Sequence, residues 1–240
     1  ESITVSNIDK TAPTLSSIKV TSPATGTYKA GQVVTIVATY SENIYGNASK
    51  ATITSSTAPV LKIKFGTGTI RTATFSSVNG KTITYTYKIA SGDNGRLATT
   101  SYTGTVYDQA GNSLAVANKT LGGNAITADT VAPTCTITRN PSANPTNASS
   151  ITYTFTFSET LKDGTFTASD ITVEKGTKGT FTEKTANKVY TLVVTNSGSC
   201  TQTVAISAGV CTDIAGNNNT SIYTAVTIDR TGPTITAVTS

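Results

Sequence analysis

The sequence predicts an all-β protein made of two-sheet Greek-key sandwiches arranged in tandem. Three observations predict it: the composition, a period-two pattern of apolar residues, and a motif that returns at domain-sized intervals. Threonine is the commonest residue, at about a fifth of the chain, whereas Trp, Met and His are absent. Because β-branched side chains are restricted at χ1 and pack well on a pleated surface, this composition favours strands over helices.

The apolar pattern has the period of half-buried strands. Residues 151–157 place Thr at every second position between Ile, Tyr and Phe, and residues 33–40 and 81–87 follow the same period. Turn-forming pairs such as Asn79-Gly80 and Asp163-Gly164 separate these runs. The pattern predicts about seven strands in each unit and no helix of useful length, which two facing sheets accommodate.

A motif that precedes the first strand of each unit sets the repeat. Residues 8–14 (IDKTAPT) return as residues 128–134 (ADTVAPT) and again as residues 228–234 (IDRTGPT). These intervals are the size of one sandwich domain. The motif therefore predicts domain starts.

Two further motifs fall in the same order within each unit. A Ser-Glu pair follows an apolar strand, at Ser41-Glu42 and at Ser158-Glu159. An Asp-x-Ala-Gly-Asn motif follows later, at residues 108–112 and at residues 213–217. Three ordered motifs indicate two copies of one architecture.

The domain limits follow from these motifs. We predict the last strand of a preceding repeat at residues 1–8, one domain at 9–128, a second at 129–228 and the start of another repeat at 229–240. Each linker contains proline, which fixes φ, so we expect stiff joints. We expect the chain to be a segment of a longer exported protein.

Charge and composition argue against several functions. The net charge is +5, but the Lys and Arg residues are scattered without a basic block, so nucleic-acid binding is not predicted. No run of 18 apolar residues predicts a membrane span. Without histidine the common catalytic triads and most zinc sites are unavailable, and the acidic motifs recur once per domain. We therefore predict that the chain is not an enzyme.

The quoted motifs resemble the bacterial immunoglobulin-like (Ig-like) repeats of large cell-surface and adhesin proteins. The resemblance covers nearly the whole chain. It implies tandem Ig-like sandwiches on the bacterial cell surface or secreted, with neighbouring repeats and a host-cell or matrix surface, glycan or protein, as partners. The residues that carry it are GTYKAG at 26–31, SGDN at 91–94, FTFSE at 155–159, ASDI at 168–171 and AGVCTDIAGN at 208–217, beside the motifs above.

Strand order in an Ig-like sandwich places the N-terminal linker, the B–C loop and the F–G loop at one pole. Acidic side chains of the three motifs should therefore converge, and Ca²⁺ is one explanation for such a cluster. The alternative is that each Asp accepts backbone N–H groups within its own tight turn. The predicted metal-ligating residues are Asp9, Glu42, Asp108 and Asn112 in the first domain, Asp129, Glu159, Asp213 and Asn217 around the second, and Asp229 in the last linker.

The three cysteines all lie in the second domain. Aligned by motif, Cys135 matches Leu15 and Cys211 matches Val106, so a Cys pair replaces an apolar pair. We predict a Cys135–Cys211 disulfide bond in an oxidising compartment, with three buried thiols as the alternative. Cys200 is expected to begin strand F at the opposite pole.

The predicted function is a structural and adhesive stalk. A carbohydrate-binding (lectin-like) module is the alternative, because sugar-binding faces commonly carry exposed aromatic rings. The alternation of tyrosine with threonine predicts that most of these rings pack in the core instead. The tyrosines in question are Tyr40, Tyr85, Tyr87, Tyr153 and Tyr190.

Overall fold

The computed structural model describes residues 8–236 and divides the chain into two compact units, between Val131 and Ala132. The predicted end of a preceding repeat therefore lies almost wholly outside the described residues. Within the described residues, one 3₁₀ turn at Ala168–Asp170 is the only helix, and the regular structure is otherwise β. No helix there has the length and hydropathy needed to cross a membrane.

The first unit is a two-sheet sandwich with a short additional ribbon. One five-stranded sheet has the order β11-β1-β3-β7-β6 and the other has the order β2-β12-β8-β4-β5, while β10 pairs with β9. Register shifts within β1–β3, β4–β8 and β6–β7 mark bulges. This unit has more and shorter strands than the sequence predicts. Its described strands are β1 Leu15–Ser22, β2 Gly26–Tyr28, β3 Val33–Tyr40, β4 Val60–Phe65, β5 Arg71–Thr72, β6 Thr74–Asn79, β7 Thr82–Lys88, β8 Gly95–Thr103, β9 Thr105–Tyr107, β10 Ser113–Ala115, β11 Leu121–Gly123 and β12 Ile126–Ala128.

The second unit has the seven strands that the sequence predicts, within its described residues. A four-stranded sheet of order β13-β14-β17-β16 faces a three-stranded sheet of order β15-β18-β19. This is the ABED and CFG arrangement of a seven-stranded Ig sandwich. The strands are β13 Cys135–Asn140, β14 Ser150–Phe157, β15 Ile171–Glu174, β16 Thr177–Thr185, β17 Val189–Thr195, β18 Cys200–Ile206 and β19 Ile222–Ile228.

Each unit has its own hydrophobic core, built by the period-two pattern. In β14, Ile151, Tyr153, Phe155 and Phe157 are at most 1% exposed, and the threonines between them point outward. Phe166 packs edge-to-face against both β14 phenylalanine rings. Burying each such side chain stabilises the fold by roughly 1.5–3 kcal/mol.

Hydrogen-bonded tyrosines hold the strand that leads into the first Ser-Glu pair. Tyr40 ends β3, and its hydroxyl lies 2.7 Å from that of Tyr102 on β8. Tyr85 bonds the same hydroxyl and donates to the main-chain oxygen of Pro59. Since buried hydroxyls need partners, this network fixes the end of β3 and the direction in which Ser41 and Glu42 leave it.

Candidate metal sites and the segments that position them

Three carboxylates meet at one pole of the first unit, as strand order predicts. Asp9 lies before β1, Glu42 follows β3 and Asp108 follows β9. One carboxylate oxygen of each lies within 4.8 Å of one oxygen of both others. Far-separated parts of the sequence thus bring like charges together.

Asp108 is the buried member of this cluster. Its Oδ1 atom accepts the backbone N–H of Asn112 at 2.8 Å, and its Oδ2 atom accepts the side-chain amide of Asn112 at 2.7 Å. Burial opposes the charge, but the hydrogen bonds from Asn112 and the turn outweigh it and lower the pKa of Asp108. Asp108 is therefore held ionised by its own loop.

Glu42 has the opposite electrostatic environment. Partial desolvation raises its pKa first, and the negative charges of Asp108 and Asp9 raise it further. The Lys81 ammonium acts against this rise. Glu42 is thus the carboxylate whose ionisation the cluster disfavours, and a cation or a proton would relieve the repulsion.

Asn112 joins the loop to the linker. Besides Asp108, its Nδ2 atom approaches the main-chain oxygen of Asp9 at 3.2 Å and that of Thr11 at 3.4 Å. The amide nitrogen, not its oxygen, therefore faces the cluster. In this orientation Asn112 positions the linker, and its predicted role as a metal ligand stays a prediction.

Glycine makes this loop possible. Gly111 has φ of +94°, and Gly216 in the second unit has φ of +89°. Asp108 N–H donates to the oxygen of Asn112, so the motif closes as a tight turn that requires a positive φ. The spacing of the motif follows from this geometry.

The second unit repeats the arrangement around Asp213. Its Oδ1 atom accepts the backbone N–H of Asn217 at 2.8 Å and its Oδ2 atom accepts the Asn217 amide at 2.7 Å. Carboxylate oxygens of Glu159 and Asp213 lie within 4.8 Å of each other. Asp129 belongs to the first unit. That its carboxylate lies close to those of Glu159 and Asp213 therefore stays a prediction.

The linker aspartates also form their own turns, which was the alternative interpretation of these residues. Each accepts, through Oδ1, the backbone N–H two residues later, as in an Asx turn. Part of each carboxylate is therefore already hydrogen-bonded without a metal. The pairs are Asp9 with Thr11 at 2.9 Å, Asp129 with Val131 at 3.1 Å, and Asp229 with Thr231 at 3.0 Å.

The serine of each Ser-Glu pair binds the segment before the first strand. Ser41 Oγ accepts the N–H of Thr14 at 2.9 Å, and Ser41 N–H returns a bond to the Thr14 oxygen. Ser158 and Thr134 make the same reciprocal pair at 3.0 Å and 2.8 Å. In both units the serine of the motif therefore fastens the entering chain to its own domain.

The opposite pole fastens the departing chain, a role the sequence did not predict. In the first unit, Asn94 Oδ1 accepts the N–H of Thr130 at 2.8 Å and Gly92 N–H donates to the Thr130 hydroxyl. In the second unit, Ser199 Oγ accepts the N–H of Arg230 at 2.8 Å. The turn between β7 and β8 holds the chain in the first unit, and the turn between β17 and β18 holds it in the second.

Asp93 anchors that turn in the first unit. Only 2% exposed, it accepts hydrogen bonds from Arg71 Nε at 2.9 Å, the Tyr87 hydroxyl at 2.6 Å and the Ala90 N–H at 2.9 Å. Burial opposes its ionisation, but these donors prevail and lower the pKa of Asp93. The only sequence signal was an Asp in a Gly-rich turn.

The predicted disulfide bond is not formed in the structure, which has Cys135, Cys200 and Cys211 as free thiols. The Cys135 thiol donates to the main-chain oxygen of Thr136 at 3.4 Å and so lies along its own strand. Cys135 and Cys211 are buried, as the alternative expected, whereas Cys200 is half-buried. Cys200 begins β18, the F strand, as predicted.

Comparison with known proteins supports the sequence resemblance for the second unit. Residues 129–230 match the family model of the bacterial Ig-like domain. No curated protein matches the chain in sequence.

Solved structures similar to this chain include a bacterial adhesin. FdeC, an adhesin of Escherichia coli, aligns at 16% identity with a TM-score of 0.44, over 90% of this chain and 65% of that one. A DUF4785 family protein of Legionella pneumophila aligns at 10% identity with a TM-score of 0.33, over 90% and 47%. The chain thus spans less than two thirds of either structure's own length.

Proposed function

Because residues 129–230 match the family model of the bacterial Ig-like domain, we propose that the chain is part of the extracellular stalk of an adhesive bacterial cell-surface protein. The proposal rests on one observation, the fastening of the chain where it enters and leaves a sandwich. A stalk must transmit position and force through its joints, and unfastened joints would bend freely.

Hydrogen bonds to the flanking domains leave only a short segment in the linker between the units. Thr130 is held by Asn94, and the main-chain oxygen of Pro133 accepts the N–H of Thr220 at 3.1 Å. Val131 and Ala132 alone lie between these residues. Two residues have only four soft dihedral angles, and the ring of Pro133 fixes the next φ.

Backbone relaxation of the full chain tests this stiffness. We expect ¹⁵N order parameters at Val131 and Ala132 near the rigid-backbone value of about 0.85, and a decrease on Asn94→Ala. Asn118→Ala, in an exposed loop, is the matched control and should change nothing at the joint. Order parameters below about 0.6 in the unaltered chain would remove the stiff-stalk proposal.

We further propose that the cluster of Asp9, Glu42 and Asp108 binds Ca²⁺ and stiffens its pole. Oxygens that lie 2.3–2.6 Å from one Ca²⁺ are at most about 5 Å apart, which the separations within 4.8 Å fit. The repulsion on Glu42 supplies a driving force. Main-chain oxygens and water would complete the shell, and the Glu159–Asp213 pair is the corresponding feature of the second unit.

Thermal melts with calcium test the ion separately from the stalk. We expect CaCl₂ at about millimolar concentration to raise Tm by several degrees, chelation to reverse the rise, and Glu42→Gln to reduce it. Glu174→Gln, an exposed strand residue, is the control. An unchanged Tm up to about 10 mM CaCl₂ would exclude calcium at extracellular concentrations and leave the stalk proposal standing.

One observation favours the carbohydrate-binding alternative. Tyr40, Tyr85, Tyr153 and Tyr190 are buried, but Tyr223 on β19 is 73% exposed. It borders a cavity of about 500 Å³ lined also by Ala205, Ile206, Ser207, Ser221 and Ile222. Glycan-array binding that disappears in Tyr223→Ala would support a lectin-like role. If no glycan on the array bound, the stalk would be the one proposed function that remains.

A further inference from the structure

Cys135 and Cys211 lie in the same hydrophobic core. Cys135 opens β13 and is 6% exposed, and Cys211 lies in the segment between β18 and β19 and is 2% exposed. Both pack with the phenylalanine cluster of the second unit. The two cysteines therefore share one packed core and are not isolated thiols on the surface.

Backbone hydrogen bonds hold the two cysteine-bearing segments near each other. Asn219 and Thr220 form one dipeptide that bonds both. Thr220 N–H donates to the oxygen of Pro133, two residues before Cys135. Asn219 N–H donates to the oxygen of Cys211, and Cys211 N–H donates to Asn219 Oδ1, both at 3.0 Å.

The first unit shows what this pair replaces. Val106 is fully buried and Leu15 packs against the same core. Those are the positions that align with Cys211 and Cys135. A joint replacement of two aligned, core-facing residues by cysteine is the change that a cross-link requires.

We propose that Cys135 and Cys211 form a disulfide bond when the second unit folds in an oxidising compartment, and that Cys200 stays a thiol. The two thiols lose two protons and two electrons as the S–S bond forms, and a disulfide oxidant, such as oxidised glutathione, is reduced to two thiols. The extracellular location proposed above supplies the compartment, but a redox buffer supplies it independently.

Cys200 is excluded by its position. It begins β18, pairs in register with Ile228, and its thiol points to the main-chain oxygen of Lys175. Ile206 ends the same extended strand before the chain reaches Cys211. At about 3.3 Å per residue that strand separates the two thiols by far more than a disulfide spans.

Burial also determines when the bond can form. Desolvation raises the pKa of Cys135 to about 12 and that of Cys211 to about 11. Since the thiolate is the attacking species, the folded core reacts slowly at neutral pH. Because both side chains are also buried away from an external oxidant, we expect the bond to form before the core closes.

Thiol counting on the full chain tests the proposal. The chain is refolded from denaturant in a glutathione redox buffer, alkylated and counted under denaturing conditions. We expect one thiol after oxidative refolding and none in Cys200→Ser. Three thiols, or a bond that uses Cys200, would refute it. The folded, reduced chain should keep three thiols after exposure to the same buffer for the same time. If it were oxidised as fast as the refolding chain, the bond would not need to form before the core closes.

Thermal melts supply the second readout. The bond would close a loop of about 75 residues, so we expect the oxidised second unit to melt at least about 10 °C above the reduced one. The double variant Cys135→Ala with Cys211→Ala should show one Tm that does not change with redox conditions. A redox-dependent Tm in this variant would contradict the assignment, as would an unchanged Tm in the unaltered chain.

Discussion

The side-chain nitrogen of Asn112 lies 3.2 Å from the main-chain oxygen of Asp9, a residue 103 positions earlier in the chain. The same nitrogen lies 2.7 Å from the buried carboxylate of Asp108. Asn112 therefore couples the loop after β9 to the linker that enters the domain. The last residue of the Asp-x-Ala-Gly-Asn motif in the first unit therefore fastens the entering linker to its domain.

Removing the Asn112 amide should destabilise the first unit. In Asn112→Ala, Asp108 keeps its burial but loses its side-chain donor, which costs about 1–3 kcal/mol. Urea unfolding of the full chain measures the loss. Asn118→Ala should stay within about 0.5 kcal/mol of the unaltered protein. Equal effects of the two variants would contradict the role assigned to Asn112.

Acid stability should depend on the same pair. The folded-state pKa of Asp108 is below its ordinary value of 3.8, so its stabilisation is present above that pH and is lost as the pH falls through the folded pKa. Asn112→Ala raises the folded pKa. The acid-unfolding midpoint of this variant, followed by circular dichroism, should therefore move to higher pH.

Glu42 should contribute to the pH dependence of stability with the opposite sign to Asp108. Its folded-state pKa is above 4.5, so its contribution is favourable at lower pH and is lost as the pH rises through the folded pKa. Without calcium, Glu42→Gln should raise Tm at pH 7 by about 1–4 °C, a small shift because the group is solvent-screened. A lower Tm would show that Glu42 is stabilised by donors in this loop.

The turn glycine should be replaceable by few residues. A Cβ at Gly111 would meet Ala48 no closer than 3.6 Å, so the cost of Gly111→Ala comes from φ of +94° and is roughly 1–2 kcal/mol. Gly111→Asn should cost less, because Asn tolerates positive φ. Gly198→Ala, with open space and no positive φ, is the control for chemical denaturation.

Separate cores should give separate unfolding transitions. Phe155→Ala removes a fully buried ring from the second core and should cost about 3–5 kcal/mol there. Calorimetry of the full chain should show a lower Tm for the second unit and an unchanged Tm for the first. Phe65→Ala in the first core should instead lower the Tm of the first unit. If either variant lowered the Tm of both units together, the cores would not be independent.

The sequence determined the fold class because one periodicity specifies both the strands and the face that each buries. Ile151, Tyr153, Phe155 and Phe157 alternate with threonine, and this local pattern alone assigns them to the core. The repeated motifs similarly located the acidic residues at domain starts and loops. Strand order in a known sandwich then placed Asp9, Glu42 and Asp108 together.

Only the tertiary structure decided what those residues bind. Each of three polar residues also has a partner far away in the sequence. Asn112 bonds residues 101 and 103 positions away, Asn94 bonds a residue 36 positions away, and Asp93 bonds one 22 positions away. The direction of a side-chain amide depends on which oxygens the packed loops present. The sequence predicted Asn112 as a metal-ligating residue of the cluster, and the packed pole shows its amide as a donor that fastens the linker. Hydrophobic period is a local property of the chain, but hydrogen-bond pairing at a loop pole is a property of the folded surface.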